Sequence, residues 1–165
     1  MNNKLNEVID IYSKGEYPSC ALSNFAEYEF YVDGVKCASM EGFLQSLKFR
    51  SVKKQNKVCR LSGVNAKNSS KHTFAQLRWR VTQNLYWQGR KYKRDSDEYQ
   101  LLLDKAYKEL SKNSDFLSAL KATGDSKLAH SIGTKNSRKT VLTEYEFIER
   151  LTKISNGLKT GEALD

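Results

Sequence analysis

The sequence predicts a mainly helical α+β fold with a small antiparallel sheet, and three observations support this prediction. The 165 residues are 39% apolar with a single proline, which suits one hydrophobic core. An Asp-Gly pair lies between two short runs of β-forming residues. Several longer segments repeat apolar residues with the helical period and begin at capping residues. We therefore expect one domain over residues 1–165, with residues 158–165 as a frayed tail.

The amino-terminal elements are short. Residues 8–12 form an apolar run that fits a strand or a helix, because periodicity does not decide at this length. Residues 28–32 and 35–38 flank Asp33-Gly34, a pair that tolerates the positive φ angles of a two-residue hairpin turn. These two runs therefore predict a β-hairpin.

A helix is predicted directly after this hairpin. Ser39 can cap it, since a serine hydroxyl accepts a hydrogen bond from an unpaired amide of the first turn. Its apolar face consists of Met40, Phe43, Leu44 and Leu47. A second, basic helix is expected over residues 52–61, ending at Gly63.

Residues 71–94 interleave cations with aromatic side chains, including both tryptophans. Because cations attract phosphates and aromatic rings stack on bases, this segment is a candidate nucleic-acid surface. The alternative is that its aromatic residues belong to the core. We favour the core for Trp79, which lies in a helical apolar pattern. For Trp87, next to a glycine and a basic turn, both interpretations stay open.

The carboxy-terminal half is predicted to be mostly helical. Helices are expected over 99–110, 115–122 and 144–154, with a strand-like piece over 127–132 and a polar loop over 133–139. Thr143 and Glu146 have the spacing of a capping box at the start of the last helix.

Charge and cysteine content limit the class of partner and site. The formal net charge of +9 favours a nucleotide, a nucleic acid or a sugar phosphate, the alternative being a merely basic surface. Cys20, Cys37 and Cys59 lack the spacing of zinc ligands, so we expect no metal and no other cofactor. No apolar signal core or membrane-spanning run is visible, which predicts a cytoplasmic protein with reduced thiols and no membrane partner.

One stripe of the helix after Ser39 is polar. Glu41, Gln45 and Lys48 follow each other at i, i+4 and i+7 and so share one side of the helix. The helix dipole favours a first-turn carboxylate by about 0.3–1 kcal/mol. A lone acid held beside an amide and a cation suits chemistry at a sugar carbon. The alternatives are an ordinary first-turn acid for Glu41 and a solvated helix face for Lys48.

A family resemblance follows from the order of these motifs. Ser23-Asn24-Phe25, the Asp33-Gly34 turn, the run over residues 39–49 and Thr123-Gly124 together resemble the NADAR (YbiA-like) family over about residues 20–155. The resemblance implies a YbiA-like fold and an N-glycosidase that cleaves the bond between a ribose anomeric carbon and a nitrogen. Its substrates would be ADP-ribose on guanine in nucleic acid, a related nucleotide, or a ribosylaminopyrimidine phosphate.

The resemblance also implies roles for individual residues. Glu41 would be the catalytic carboxylate and Asn24 a ligand for the ribose hydroxyls. Lys48 would contact phosphate or another part of the substrate, and Ser23 and Phe25 would shape the pocket floor.

The chemistry adds further candidates. His130 could donate a proton to the leaving nitrogen, although a lone histidine in an apolar strand is more often a packed residue. Trp87 could stack on the base. Gln45, Arg90 and Gly133 complete the predicted substrate contacts.

The chain departs from the family pattern at two places. Gly42 follows Glu41, where the family helix has histidine. The Asp-x-x-Trp-Gly segment of the family is absent from residues 130–140, so Trp87 is our candidate for the missing stacking residue. These departures indicate a divergent branch. A non-catalytic ADP-ribose or nucleic-acid binding module is the alternative function, and the sequence leaves the oligomeric state open.

Overall fold

Helices and short strands alternate along residues 7–162, which are the residues that the computed structural model describes. The elements in chain order are β1 Val8–Asp10, α1 Ser19–Leu22, β2 Phe30–Val32, β3 Val35–Cys37, α2 Met40–Ser46, α3 Val52–Cys59, α4 Gly63–Asn68, α5 Phe74–Thr82, β4 Asn84–Trp87, β5 Arg90–Lys93, α6 Asp97–Leu110, α7 Ser114–Lys121, β6 Lys127–Ala129 and α8 Glu144–Thr160. The predicted α+β class with helices in the majority is confirmed.

The strands form three separate pairs rather than one sheet. Strands β2 and β3 pair antiparallel, as do β4 and β5, whereas β1 and β6 pair parallel. The predicted hairpin at Asp33-Gly34 is confirmed, with φ angles of +48° and +77° at the two turn residues. The parallel pair joins Val8 to Lys127 and closes most of the chain into one loop.

One cluster of buried residues connects nearly all of these elements. Its largest fully buried side chains come from α2, α5, α6, α7 and α8, and they are Phe43, Trp79, Tyr99, Tyr107, Phe116 and Phe147. The interpretation of Trp79 as a core residue is confirmed, since its side chain is 1% exposed. The core thus lies between α2 and the two long carboxy-terminal helices.

Several predicted helix boundaries were wrong, because capping residues act through geometry that the sequence shows only in part. Helix α3 ends at Cys59, and Gly63 begins α4 instead of ending α3. Helix α7 begins at Ser114 instead of residue 115 and is capped by Asn113, because the Asn113 Oδ1 accepts the amide hydrogens of two first-turn residues. The capping box of Thr143 and Glu146 is present as predicted.

The last helix is longer than predicted. Helix α8 continues past Ile154 to Thr160 and ends at Gly161, whose φ of +69° suits a helix end. Residues 158–160 are therefore helical and not frayed, and Leu158 packs against the core. The rest of the predicted tail at 163–165 lies outside the described residues, as do residues 1–6. Within residues 7–162, no helix is long and apolar enough to cross a membrane.

Candidate functional site

The first turn of α2 is held against the end of α3. Ser39 Oγ accepts the Gly42 amide hydrogen at 3.0 Å and donates to the Leu61 carbonyl at 2.8 Å. A Cβ atom on Gly42 would lie 2.5 Å from that carbonyl oxygen and 2.9 Å from that of Cys59. Only glycine permits this close approach, so the departure from histidine at this position has a packing reason.

The loop that carries Ser23, Asn24 and Phe25 lies beside this turn. The Glu41 amide donates to the Asn24 carbonyl at 2.9 Å. The Tyr107 hydroxyl donates to Asn24 Oδ1 at 2.9 Å, which fixes the orientation of the side-chain amide. Burial raises the pKa of Tyr107, so its hydroxyl remains protonated and stays a donor. The structure thus brings Asn24 and Glu41 together, as predicted.

Ser23 and Phe25 complete this loop. Ser23 Oγ accepts the Phe25 amide hydrogen at 3.2 Å and so stabilises the bend. The Nζ atom of Lys67, from α4, lies 5.9 Å from the centroid of the Phe25 ring. Both loop residues are half-buried. They therefore border the region around Glu41, and whether they contact substrate stays a prediction.

A chain of hydrogen bonds runs from the first turn of α2 to Lys48, in the turn after the helix. Gln45 Nε2 donates to Glu41 Oε1 at 2.9 Å, and Lys48 Nζ donates to Gln45 Oε1 at 2.7 Å. Reversing the Gln45 amide would place its oxygen against the carboxylate and its amino group against the ammonium, so this orientation is the favourable one. Ser70 also donates to Gln45 Oε1, at 3.0 Å. The predicted stripe is thus one continuous network.

The side chain of Glu41 is half-buried, and opposing effects act on the pKa of its carboxyl group. Burial raises its pKa above the ordinary value of 4.5, while the hydrogen bond from Gln45 and the charges of Lys48, Lys67 and His130 act in the opposite direction. Positive charges therefore surround this carboxyl group, and it does not lie in bulk water. Such an environment is typical of functional carboxylates.

Lys48 is 8% exposed, which excludes the solvated helix face as its environment. Burial lowers its pKa to about 8, and the charge of Glu41 partly opposes this shift. Keeping the ammonium ionised at neutral pH then costs about 3 kcal/mol of folding free energy. The fold thus keeps a buried cation next to the Glu41–Gln45 pair, although burying this cation reduces stability.

His130 follows β6, at the carboxyl end of the parallel strand pair. Its Nδ1 lies 2.6 Å from the Ile11 carbonyl oxygen, so Nδ1 carries the hydrogen and Nε2 is turned elsewhere. The ring packs edge-on against Phe147 at 5.1 Å. A Cβ atom on Gly133 would lie 2.6 Å from His130 Cδ2, so glycine lets this loop close over the imidazole. His130 is thus partly packed, yet its charge acts on Glu41.

Trp87 and Arg90 do not join this site. The Trp87 side chain is 2% exposed, packs edge-on against Phe43 at 5.0 Å, and donates from Nε1 to Asp33 Oδ2 at 2.8 Å. The interpretation of Trp87 as a base-stacking residue is therefore wrong, because neither face of its ring is open. Arg90 is exposed on the β4–β5 hairpin, where its guanidinium lies 5.0 Å from the Tyr92 ring.

Tyr107 borders two cavities. The larger, of about 1310 Å³, is a groove between α6, α8 and β6. The smaller, of about 10 Å³, is bordered by Asn24, Tyr107 and core side chains, and it has room for about one water molecule. Glu41 lines neither of them. The candidate site is therefore the polar region around α2, outside both of these cavities.

Sequence reasoning missed three residues of this site. Lys67 and Ser70 come from α4 and the turn after it, and Tyr107 comes from α6. The apolar period of α6 predicts that Tyr107 points inward. It does not predict that the Tyr107 hydroxyl bonds to Asn24. Only the packing of α4 and α6 against α2 and its preceding loop brings these side chains to Glu41 and Asn24.

Comparisons with known proteins agree with this architecture. Residues 16–156 match the family described as Bacteriophage protein GP30.3. An uncharacterized 17.1 kDa protein in the Gp30-rIII intergenic region of Enterobacteria phage T4 is 37% identical over 152 residues, covering 91% of this chain and 98% of the relative. The NMR structure of the E. coli protein YbiA is similar with a TM-score of 0.58 at 19% identity, covering 94% of this chain and 87% of YbiA.

These matches identify both the family and the fold. The family match spans most of the chain, and the similarity to YbiA extends over nearly all of it. The predicted resemblance to the NADAR (YbiA-like) family is thus confirmed at the level of the fold. The chain belongs to the Bacteriophage protein GP30.3 family and has a YbiA-like fold.

Proposed function

We propose that this protein is a hydrolase of N-glycosyl bonds that cleaves a ribosyl–nitrogen bond. The observation that carries the proposal is the Glu41–Gln45–Lys48 network, in which a half-buried carboxylate is oriented by an amide and faced by a buried cation. The YbiA-like fold supports the same reaction class. The preferred substrate is ADP-ribose linked to guanine in nucleic acid or in a related nucleotide, and a ribosylaminopyrimidine phosphate is the second candidate.

The reaction requires charge stabilisation at the sugar. When the bond between the anomeric carbon and nitrogen breaks, its electron pair leaves with the base and positive charge develops on the ribose ring. The ionised Glu41 would stabilise this charge and take a proton from the attacking water, whose oxygen forms the new bond to the anomeric carbon. The departing nitrogen takes up a proton, for which His130 is the candidate donor.

Other residues would position the substrate. The Asn24 Oδ1 accepts from the Tyr107 hydroxyl, so the Nδ2 group would be the part of this side chain that donates to a ribose hydroxyl. Lys48 and Lys67 place positive charge beside the carboxylate, which opposes the effect of burial on the pKa of Glu41 and would attract a phosphate. Gln45 couples Lys48 to Glu41 and is a positioning residue.

The experiment is product analysis with a panel of N-ribosyl substrates. ADP-ribosylated DNA and RNA, an ADP-ribosylated nucleotide and aminopyrimidine ribotides are incubated with the protein in isotopically labelled water. We expect mass spectrometry to detect a free base and a ribosyl product that carries the label. Intact substrates across the panel would favour the alternative, a binding module without hydrolase activity.

A further inference from the structure

The charges of this protein are segregated along the chain. Residues 42–94 contain 14 of the 28 Lys and Arg residues and none of the 19 Asp and Glu residues. This acid-free segment therefore has a formal charge of +14, and the rest of the chain has −5, from the same counts. The whole positive excess of the protein lies in one third of its sequence.

The acid-free segment contains α2 after Glu41, helices α3 to α5 and the β4–β5 hairpin, and contacts join α2 to α3 and α4, and α5 to β4. The ring of Tyr86 lies between two guanidinium groups, 5.3 Å from that of Arg50 and 5.4 Å from that of Arg78. The Gln88 side chain donates to Gln55 and Asn56 of α3, both at 3.1 Å. Helices α3 and α5 and the hairpin are therefore neighbours, and their cations share a surface.

Most of these cations are exposed and are not neutralised by carboxylates. The exposed ones are Arg50, Lys53, Lys54, Lys57, Arg60, Lys67, Lys71, Arg80, Arg90, Lys91 and Lys93. Within residues 7–162, Arg94 is the one cation of the segment that forms an ion pair, with Glu146. Clustered like charges repel each other and destabilise a fold, and the binding of an anion relieves this repulsion.

An exposed apolar stripe lies among these cations. On α5, Phe74 is 87% exposed, Leu77 60% and Val81 72%, and their spacing of three and four residues places them on one side of the helix. Lys71 and Arg80 flank the stripe. An exposed aromatic ring between cations suits a base between phosphates.

We propose that the acid-free segment is the docking surface for a nucleic-acid strand, with its cations on the phosphates and Phe74 stacked on a base. A phosphodiester strand supplies evenly spaced charges over such an area, whereas an acidic protein would need a matching row of carboxylates. Lys67 connects this surface to the site, because it lies over Phe25 and its charge acts on Glu41. This inference rests on the proposed function in one respect: the choice of a polynucleotide as the ligand follows from the proposed substrate.

The test compares two triple variants of equal net charge. Lys53→Gln, Lys57→Gln and Lys71→Gln remove three exposed charges from the acid-free segment, and Lys108→Gln, Lys121→Gln and Lys153→Gln remove three exposed charges elsewhere. Binding of an unmodified, labelled single-stranded oligonucleotide is followed by fluorescence anisotropy across a salt series. We expect the first variant to bind about tenfold or more weakly and to lose about two from its log–log salt slope, and the second to resemble the wild type.

Two outcomes of these binding measurements would overturn the proposal. Equal loss in both variants would mean that net charge alone attracts the strand. Competition by poly-glutamate as effective as by unlabelled oligonucleotide would identify an acidic protein as the partner instead.

A second comparison tests the stacking. Phe74→Ala should weaken oligonucleotide binding several-fold without changing the salt slope, because stacking involves no counterion release. Tyr145→Ala is the matched control, since Tyr145 is 72% exposed on α8 outside the segment. Equal affinities for these two variants would contradict a role for Phe74.

The oligonucleotide carries no N-glycosidase substrate, so this measurement is independent of turnover. Localised strand binding without cleavage of any N-ribosyl compound would leave the docking surface intact and would contradict the proposed function. Cleavage of a small nucleotide without strand binding would support the proposed function and contradict the docking surface.

Discussion

At the scale of single residues, burial shifts the pKa values of Glu41 and Lys48 in opposite directions. Burial raises that of Glu41 above 4.5 and lowers that of Lys48 to about 8. If hydrolysis needs the carboxylate ionised and the ammonium protonated, kcat/KM falls on both sides of a maximum. We expect it to fall as pH drops through the raised pKa of Glu41, and as pH rises through about 8, where Lys48 loses its proton.

The control for this profile is Lys48→Met, which keeps the unbranched shape of the side chain and removes its charge. This variant should be less active throughout and should lack the decline near pH 8. An unchanged decline in Lys48→Met would assign the alkaline limb to another group.

Tyr107 should act on turnover through Asn24. Tyr107→Phe removes the donor that orients the Asn24 amide, so we expect KM for the N-ribosyl substrate to rise about tenfold, together with a stability loss of about 1 kcal/mol. Tyr99→Phe is the matched control, because its buried hydroxyl donates to the Val141 carbonyl, away from the site. Kinetic constants and melting temperatures distinguish the two.

A purely structural role for Tyr107 would make both tyrosine variants alike. They would then lose similar stability and keep the same KM. Such a result would remove the positioning role from Tyr107.

At the scale of elements, the contact of α2 with the end of α3 determines where Glu41 points. Gly42→Ala would press a methyl group against the Leu61 carbonyl, 2.5 Å away, so that α2 must shift. We expect a stability loss of about 1–3 kcal/mol and a larger relative loss of activity, because the displaced turn carries Glu41. Thermal unfolding and turnover measure the two effects, and wild-type values for both would contradict this packing.

Local elements were the ones that the sequence predicted well. The Asp33-Gly34 hairpin, the Ser39 cap and the Thr143–Glu146 capping box each depend on residues within a few positions. Gly63 was misassigned because a glycine with positive φ can begin a helix as well as end one. The parallel pairing of β1 with β6 depends on contacts across more than a hundred residues, which no local pattern contains.

The candidate site divides in the same way. Glu41, Gln45 and Lys48 were predictable because they lie within eight residues of one another: α2 places the first two on one side, and Lys48 follows in the turn after the helix. Lys67, Ser70 and Tyr107 were not, since tertiary packing alone brings them there. Trp87 was misread because an aromatic residue next to a basic turn looks the same in sequence whether its ring packs inward or outward.

At the scale of the whole molecule, one ion pair fastens the β4–β5 hairpin to α8. Arg94 is 2% exposed and lies 2.7 Å from a Glu146 oxygen. Although burial alone would raise the pKa of Glu146, the hydrogen bonds from Arg94, the Thr143 amide and Gln100, together with the charge of Arg94, lower it to about 2. A lowered carboxyl pKa stabilises the folded state above the ordinary pKa, and this contribution disappears as pH falls toward the folded pKa.

Acid unfolding should therefore depend on this pair. The lowered pKa corresponds to about 3 kcal/mol near neutral pH, lost as pH falls from about 4.5 to about 2. We expect wild type and Glu146→Gln to differ strongly in unfolding free energy at neutral pH and to converge near pH 2. A difference that stays constant with pH would show that the charge of Glu146 is not what stabilises the fold.

The most direct measurement is turnover of an N-ribosyl substrate by Glu41→Gln beside Glu98→Gln. Both wild-type residues are glutamates in the first turn of a helix, but Glu98 is exposed on α6, away from the network. Glutamine keeps the volume and removes the charge. We predict a loss of at least about 10²-fold for Glu41→Gln with an unchanged melting temperature, and wild-type rates for Glu98→Gln. Equal, undiminished turnover by both variants would contradict the role of Glu41.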